Sequence, residues 1–478
     1  MKRILNLIKS HEFILTVLIC IYILYFITAS FLRYDNFYTG RFDLGNMDQT
    51  VWNTINGRIF QTSSDNGDMI SRLSSHADFM LILISPFYLL WSHPKMLLII
   101  QSFVLGLGGI FVFLIAKEIL KNKTFALIFS FSYLFNPLLQ FTNLYDFHAV
   151  TLATTLLLAS FYFLIKQKYF FLTIFLILSG LTKEQVWVIV SIFGFPLLFK
   201  KQVKVKILGL VIIALPIAIF GYLVWYAIPQ NLGKEHFALS YFSDFGDSPT
   251  EVIKNVFLSP QKIISTIFEG HQLGYLKQVF MPLGFLSLLS PLYLIFAIPD
   301  LLIDLLSNNS QLYQIYYQYT ATITPFVFIS AIFATKKFLK WFPRMKIHLA
   351  IYLIFFAFLT AFSYGPLIGA KNPNDDMFTK PEKNKEAIEN FLSTIPSHYT
   401  VAATNNLGSH LSQREIIYTI PIGVDKADIV LFLFSSSSWP SSLEDQRKIA
   451  KDMLLNKNYI EVFNKGDFIV FKKRTILL

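Results

Sequence analysis

Two carboxylates, Asp43 and Asp48, stand five residues apart in Arg41-Phe42-Asp43-Leu44-Gly45-Asn46-Met47-Asp48-Gln49, just past a long apolar run. Ionisable groups at a membrane edge are costly and are functional candidates by default. A partly buried carboxylate there can be tuned to take a proton from a hydroxyl, which is general-base chemistry. The competing reading is structural: either acid can accept backbone N–H bonds at the start of an amphipathic helix over residues 47–59. Asp43 lies too early to be the immediate cap, and Asp48 already falls within the first turn. Trp52 and Arg58 on the same short helix suit an interfacial position.

Further clusters could join such chemistry. Ser75-His76-Ala77-Asp78 places a histidine and an acid two residues apart, and Asp146-Phe147-His148 repeats the spacing in reverse. Each reads as an acid–base pair, a set of substrate contacts or a polar helix boundary. With Asp43 and Asp48 they supply enough oxygen and nitrogen for a divalent ion such as Mg or Mn, with Asp43, Asp146 and His148 as candidate ligands. Thr182-Lys183-Glu184-Gln185 interrupts two apolar runs. It is either a solvated loop or a phosphate contact, Lys183 meeting the anion while Glu184 holds Lys183, a sugar hydroxyl or a metal. Tyr313, Tyr316, Tyr317 and Tyr319 read as an interfacial belt or as the lining of a sugar or lipid head-group site. There is no Gly-rich phosphate loop before a helix, no GxSxG and no HExxH. Gly106-Leu107-Gly108-Gly109 sits inside an apolar run and predicts close helix packing.

The elements that position these groups must be membrane helices. Of 478 residues, 54% are hydrophobic and only 15% charged, against roughly 25% charged in a soluble domain. The net charge of +11 comes from lysines in short loops between apolar runs, the positive-inside pattern, and no basic segment is interleaved with stacking aromatics as nucleic-acid binding requires. The lone cysteine, Cys20, excludes an internal disulfide.

Lys2, Arg3 and Lys9 precede a 13–32 apolar run long enough to span, read as a retained signal-anchor with its N-terminus cytoplasmic. Other runs cover 79–90, 96–115, 125–139, 150–165, 169–181, 186–199, 207–228, 281–306, 320–334 and 348–362. Basic loops at Lys117–Lys123, Lys166–Lys168, Lys200–Lys206 and Lys336–Lys346 then mark the inner side. That parity works if 79–90 is too short to cross and 281–306 enters and leaves on the outer side, broken near Pro291 and Pro299. The polar clusters then converge on one outer face, together with loops 33–78 and 229–280.

The predicted fold is a polytopic α-helical bundle over residues 1–370, with about nine to eleven helices, some short or re-entrant. A charged linker follows at 371–385. Residues 386–478 read as a small extracytoplasmic α/β domain: helices at 386–394 and 442–455, strands at 400–403, 416–419 and 428–434, and a hairpin of 459–463 with 468–472.

Phe42-Asp43-Leu44-Gly45, Asp48-Gln49, Trp52-Asn53, His76, Tyr145-Asp146-Phe147-His148 and Lys183-Glu184, in this order, resemble the predicted membrane proteins of the domain-of-unknown-function 2079 family. Tyr317-Gln318-Tyr319 with Ile323-Thr324-Pro325-Phe326, and Val401-Ala402-Ala403 with Leu411-Ser412-Gln413-Arg414 and Ile417-Tyr418, extend the resemblance over most of the chain. That family is similar in layout to GT-C glycosyltransferases, in which a first-loop carboxylate is the catalytic base and the donor is typically a polyprenyl-phosphate sugar. The resemblance implies Asp43 as base with Asp48 second. Beside the resemblance, the residues themselves are read as substrate contacts: Lys183, Arg41 or Arg72 on the phosphate leaving group, with His76, Asp78, Asp146, His148, Glu184, Tyr317 and Tyr319 as further candidates. The implied partners are the bilayer, a lipid-linked sugar donor and an acceptor glycan, lipid or protein. The rival expectations are a transporter or flippase, whose ionisable groups would lie at the bilayer midplane, and a non-catalytic scaffold.

Overall fold

In the computed structural model the described residues are 10–233, 237–435 and 439–476. Lys2, Arg3 and Lys9, and three residues of the 229–280 loop, lie outside them.

Among the described residues, four helices are long and apolar enough to cross a bilayer: His11–Asp35, Lys95–Leu120, Val203–Leu232 and Pro343–Tyr364. Lys123–Leu134 and Pro137–Leu144, bent by 45°, form a fifth span if counted together. The bend has a local cause. Asn136 accepts a hydrogen bond from the Leu138 amide at 2.9 Å and Pro137 opens the second helix, so the first is capped off before the second starts. Four shorter apolar helices fill in around these: Met80–Leu89, Ala149–Ile165, Tyr169–Gly180 and Val186–Leu198. The spans bear large exposed side chains such as Ile21, Leu24, Leu210, Phe355 and Phe358, as a lipid-facing surface requires.

The glycine patch is a packing seam. A Cβ on Gly106 would stand 2.6 Å from Ile23 Cγ1, and one on Gly108 would stand 2.1 Å from the Tyr133 hydroxyl. Small residues there let Lys95–Leu120 sit close to both His11–Asp35 and Lys123–Leu134. Thr324–Trp341 is buried along its first three turns and runs through the bundle interior.

The expected break in 281–306 is present. The segment runs as 3-10 turns over Met281–Leu283, Leu286–Leu289 and Pro291–Ala297, then as the helix Ile298–Leu305. Proline cannot donate to a helix ladder, and Pro282, Pro291 and Pro299 each sit at the first turn of a new piece. The first-loop helix, expected over 47–59, covers only Asn46–Ile55, because Gly57 turns the chain at φ +84°. A short antiparallel hairpin not anticipated from the sequence follows, β1 (Gln61–Ser63) with β2 (Met69–Ser71).

After Lys385–Ser393, a five-stranded sheet forms from β3 (Val401–Ala403), β4 (Ile417–Thr419), β5 (Ile429–Leu433), β6 (Tyr459–Lys465) and β7 (Phe468–Lys473), in spatial order β4-β3-β5-β7-β6. β3 pairs in parallel with β4 and β5, with Val401 opposite both Ile417 and Ile429, whereas β5 and β6 pair antiparallel to β7. All five residues of β5 are buried, the continuous apolar run of a strand covered on both faces. Leu443–Leu455 starts with a capping box in which Ser442 and Asp445 satisfy each other's backbone amides.

Candidate functional site

Asp43 sits on a single π-turn, Arg41–Gly45, between the first span and the first-loop helix. Such turns are rare and concentrate at functional sites. The turn's two leading amides are held from different directions. Gly40 N–H donates to Asp146 Oδ2 at 2.9 Å, and Arg41 N–H donates to Asn405 Oδ1 at 2.7 Å.

The Asp43 side chain, 32% exposed, is held by two neighbours. The Tyr145 hydroxyl donates to Oδ2 at 3.0 Å, and His148 Nε2 lies 3.1 Å from Oδ1. Burial alone would raise this carboxyl, but the His148 contact and then the Tyr145 hydroxyl bring it below the usual carboxylate range. Asp43 is therefore ionised at neutral pH. His148 Nδ1 lies 2.9 Å from the Asp146 carbonyl oxygen, which can only accept, so Nδ1 bears a hydrogen. Nε2 then makes a hydrogen bond to Asp43 only if the pair holds a second proton between them.

The described residues enclose a cavity of about 530 Å³ beside Asp43. Of the residues singled out from the sequence, Asp43, Arg72, His76, Asp78, His148, Lys183, Glu184 and Tyr319 line it. Arg72 follows β2 on a 3-10 turn capped by Ser71 and pairs with Asp78, both nearly fully buried, with Nη2 2.9 Å from Oδ2. His76 Nδ1 meets Glu184 Oε1 at 2.9 Å, and the other Glu184 oxygen accepts the Ala77 amide at 3.0 Å. Burial pushes His76 down to about 4; Lys183 acts in the same direction and Glu184 opposes it. His76 and Asp78 thus belong to separate pairs and do not act on one another, and Glu184 holds His76 instead of Lys183. Lys183, in the turn between Tyr169–Gly180 and Val186–Ile192, has no ion-pair partner among the described residues. Its charge acts on the buried carboxyls of Asp300 and Asp304, which line the same cavity, without forming an ion pair with either.

Much of the remaining lining is apolar. Phe220, Val224 and Trp225 come from the Val203–Leu232 span, and Val252, Ile253 and Val256 come from the amphipathic helix Pro249–Leu258. The chamber is polar at Asp43, Arg72 and Lys183, and greasy toward the span.

Four sequence candidates stand elsewhere. Asp48 is fully buried and accepts from the Tyr88 hydroxyl at 2.5 Å, Ser412 Oγ at 2.6 Å and Gln413 Nε2 at 3.1 Å. It caps no helix, and burial raises its carboxyl to about 6 against these donors and Arg41. Arg41 is buried too, donating to Asn46 Oδ1 and, at 2.7 Å, to Gln49 Oε1. Tyr317 packs edge-on against Tyr145 at 5.1 Å, one ring removed from Asp43. The Asp146 carboxylate faces Gly40 N and, at 3.6 Å, Arg33. Burial, outweighing Arg33, raises it to about 6. Asp43, Asp146 and His148 therefore do not converge as a ligand set. Among the described residues no group of three or more His, Cys, Asp or Glu is placed to hold a metal ion.

The sequence reading missed Asp300 and Asp304, which line the cavity from Ile298–Leu305. Four residues apart, they share one helix face. Thr322 Oγ1 donates to Asp300, and the Tyr275 hydroxyl donates to Asp304 at 2.6 Å. The rule that singled out Asp43 marks them as well: acids inside an apolar run are costly.

No curated protein matches the chain. Among solved structures, the Archaeoglobus fulgidus oligosaccharyltransferase, tethered with an acceptor peptide containing the NVT sequon via a disulfide bond, is similar over 86% of this chain at 13% identity and a TM-score of 0.40. The match spans 64% of that protein's chain, just under two thirds. A family model described as predicted membrane protein (DUF2079) matches residues 33–470, nearly the whole chain, and the protein belongs to that family.

Proposed function

We propose that this protein is an integral membrane glycosyltransferase that moves a sugar from a lipid-phosphate donor to an acceptor hydroxyl on the outer side of the membrane. The observation that carries the reading is the cavity itself. It joins an ionised, partly exposed carboxylate, a lysine that makes no ion pair among the described residues and an apolar wall continuous with a membrane span.

In this reading the lipid chain lies along Phe220, Val224 and Val256, and its phosphate meets Lys183. Arg72 contributes less, because Asp78 already balances its charge. Asp43 accepts the proton of the acceptor hydroxyl as that oxygen bonds to the anomeric carbon. The bond from that carbon to the phosphate oxygen breaks, and its electron pair leaves with the lipid phosphate, stabilised by Lys183. One direct displacement inverts the anomeric centre.

The N-terminus is cytoplasmic and the cavity and C-terminal sheet are extracytoplasmic in this reading, supported by the lysine-rich loops on the opposite side. The rival transport reading expects ionisable groups at the bilayer midplane on discontinuous helices. Asp43, His76 and Lys183 instead sit on turns between helices, which favours surface chemistry. The test is an assay of the purified protein in lipid with polyprenyl-phosphate sugars as donors. Transfer to an added or co-purifying acceptor supports the reading; movement of the intact lipid-linked sugar across the bilayer without bond cleavage contradicts it.

A further inference from the structure

The π-turn bearing Asp43 has a cavity on one side and the C-terminal domain on the other. The first amides of a helical turn have no partner within it and must find one outside. Here the bundle supplies one acceptor, Asp146 Oδ2, and the C-terminal domain supplies the other, Asn405 Oδ1. The same domain closes on the turn at backbone distance. A Cβ on Gly408 would stand 2.2 Å from Arg41 Cβ and 2.8 Å from Arg41 Cα, and one on Gly45 would stand 3.2 Å from the Gly408 carbonyl oxygen. Contact this close requires glycine at 408 and leaves little room for a side chain at 45. One turn further on, Ser412 fixes Asp48 at 2.6 Å. The buried polar network running from Arg41 to Asp48 is therefore satisfied only when the C-terminal domain is docked, and buried polar groups left without partners are expensive.

We infer that the C-terminal domain is a positioning element for the base: Asn405 and Gly408 hold the π-turn that aims Asp43 into the cavity. This rests on the transfer reading for its consequence but not for its geometry. A domain that only collected the acceptor would not need to complete the hydrogen bonding of the turn beneath the base. Such a brace acts on the rate of the chemical step more than on donor binding, because the residues proposed to meet the donor, Lys183, Phe220, Val224 and Val256, stand on other elements.

The test uses full-length protein in detergent or lipid with three substitutions. Gly408→Ala wedges the contact by one methyl group, Asn405→Ala removes the acceptor for the Arg41 amide, and Asn405→Asp keeps an acceptor oxygen there. Hydrogen exchange of the Gly45 amide, which closes the π-turn onto the Gly40 carbonyl at 2.9 Å, reads the brace directly. Exchange of the β5 amides reports whether the domain is still folded. The expected result is exchange at Gly45 faster by about tenfold in Gly408→Ala and Asn405→Ala, with β5 protection unchanged and recovery in Asn405→Asp. Transfer should fall about tenfold or more in kcat with the donor KM unchanged, since small misplacement of a reacting group is enough to cost that much. Unchanged exchange at Gly45 overturns the inference, and so does faster exchange with kcat intact. If wild-type protein transfers no sugar yet Gly45 exchange still responds, the brace is supported and the transfer reading is what fails.

Discussion

His148 reaches Asp43 with one ring nitrogen at 3.1 Å while its other nitrogen is held 2.9 Å from the carbonyl oxygen of Asp146. The ring cannot turn without losing one contact, so the proton beside the base stays in one place. This makes His148 a positioning residue for Asp43.

A pH profile follows from that relationship. Asp43 is lowered by His148 against the opposing effect of burial, so the base is ionised above its depressed pKa and is lost only as pH falls through it. Transfer should therefore hold as pH falls from neutral and be lost only below the ordinary carboxylate range. His148→Gln takes away the imidazole contact that lowers Asp43, so burial dominates. The acid limb of the rate profile should move up by about one unit or more. An acid limb at the same pH in both proteins would remove His148 from this role.

Lys183 and Asp78 separate chemistry from stability. Lys183→Gln removes a cation with no ion-pair partner among the described residues, so the melting temperature should hold while transfer falls about a hundredfold. Asp78→Asn strips the buried Arg72 of its counter-charge and should cost about 3–5 kcal/mol of stability. Thermal melts and initial rates on the same preparations check both. A Lys183→Gln protein with wild-type turnover would leave the phosphate without its proposed partner.

Asp48 makes stability depend on pH in the opposite sense from Asp43. Its folded pKa, raised by burial to about 6, exceeds the unfolded value of about 3.9, so the folded state binds the proton more tightly. Stability is greatest below the unfolded value, falls as pH rises through about 6, and is level above it. Asp48→Asn removes this slope. The melting temperature of wild type relative to the variant should decline between pH 4.5 and 7.5, by the equivalent of about 2–3 kcal/mol. Parallel melting curves across that range would contradict the assignment.

Sidedness can be read by thiol labelling in a Cys20→Ser background. Asp146 is a poor reporter because its side chain is buried against Arg33. Asn66, exposed on the β1–β2 turn, and Gln202, exposed before the Val203–Leu232 span, serve better. A membrane-impermeant maleimide should reach Asn66→Cys from outside and miss Gln202→Cys. The reverse pattern would put the cavity on the cytoplasmic side.

Most of what positions the site was legible in the residues. Pro291 and Pro299 marked a broken segment, and lengths alone marked 79–90 as too short to cross. Asp43, His148 and Lys183 were marked by charge beside apolar runs, and they come together with Arg72 around one cavity. Their pairing was not legible, because spacing cannot tell that Asp78 turns to Arg72 while His76 turns to Glu184. Asp48 resembled Asp43 along the chain, yet it faces Ser412 instead of the cavity; that partner is 364 residues away. The β1–β2 hairpin had a signal that was passed over, the Asn66-Gly67 turn, with Gly67 at φ +88°. Asp300 and Asp304 carried the same signal as Asp43, acids inside an apolar run, but their cavity position shows only in the fold.

The most direct measurement of the central claim is sugar transfer from polyprenyl-phosphate donors by Asp43→Asn beside wild type, in membranes with matched protein levels and melting temperatures. The account predicts that wild type transfers and that Asp43→Asn loses about 10²–10⁴ in kcat while donor binding persists. Asp43→Asn turnover equal to wild type would contradict it.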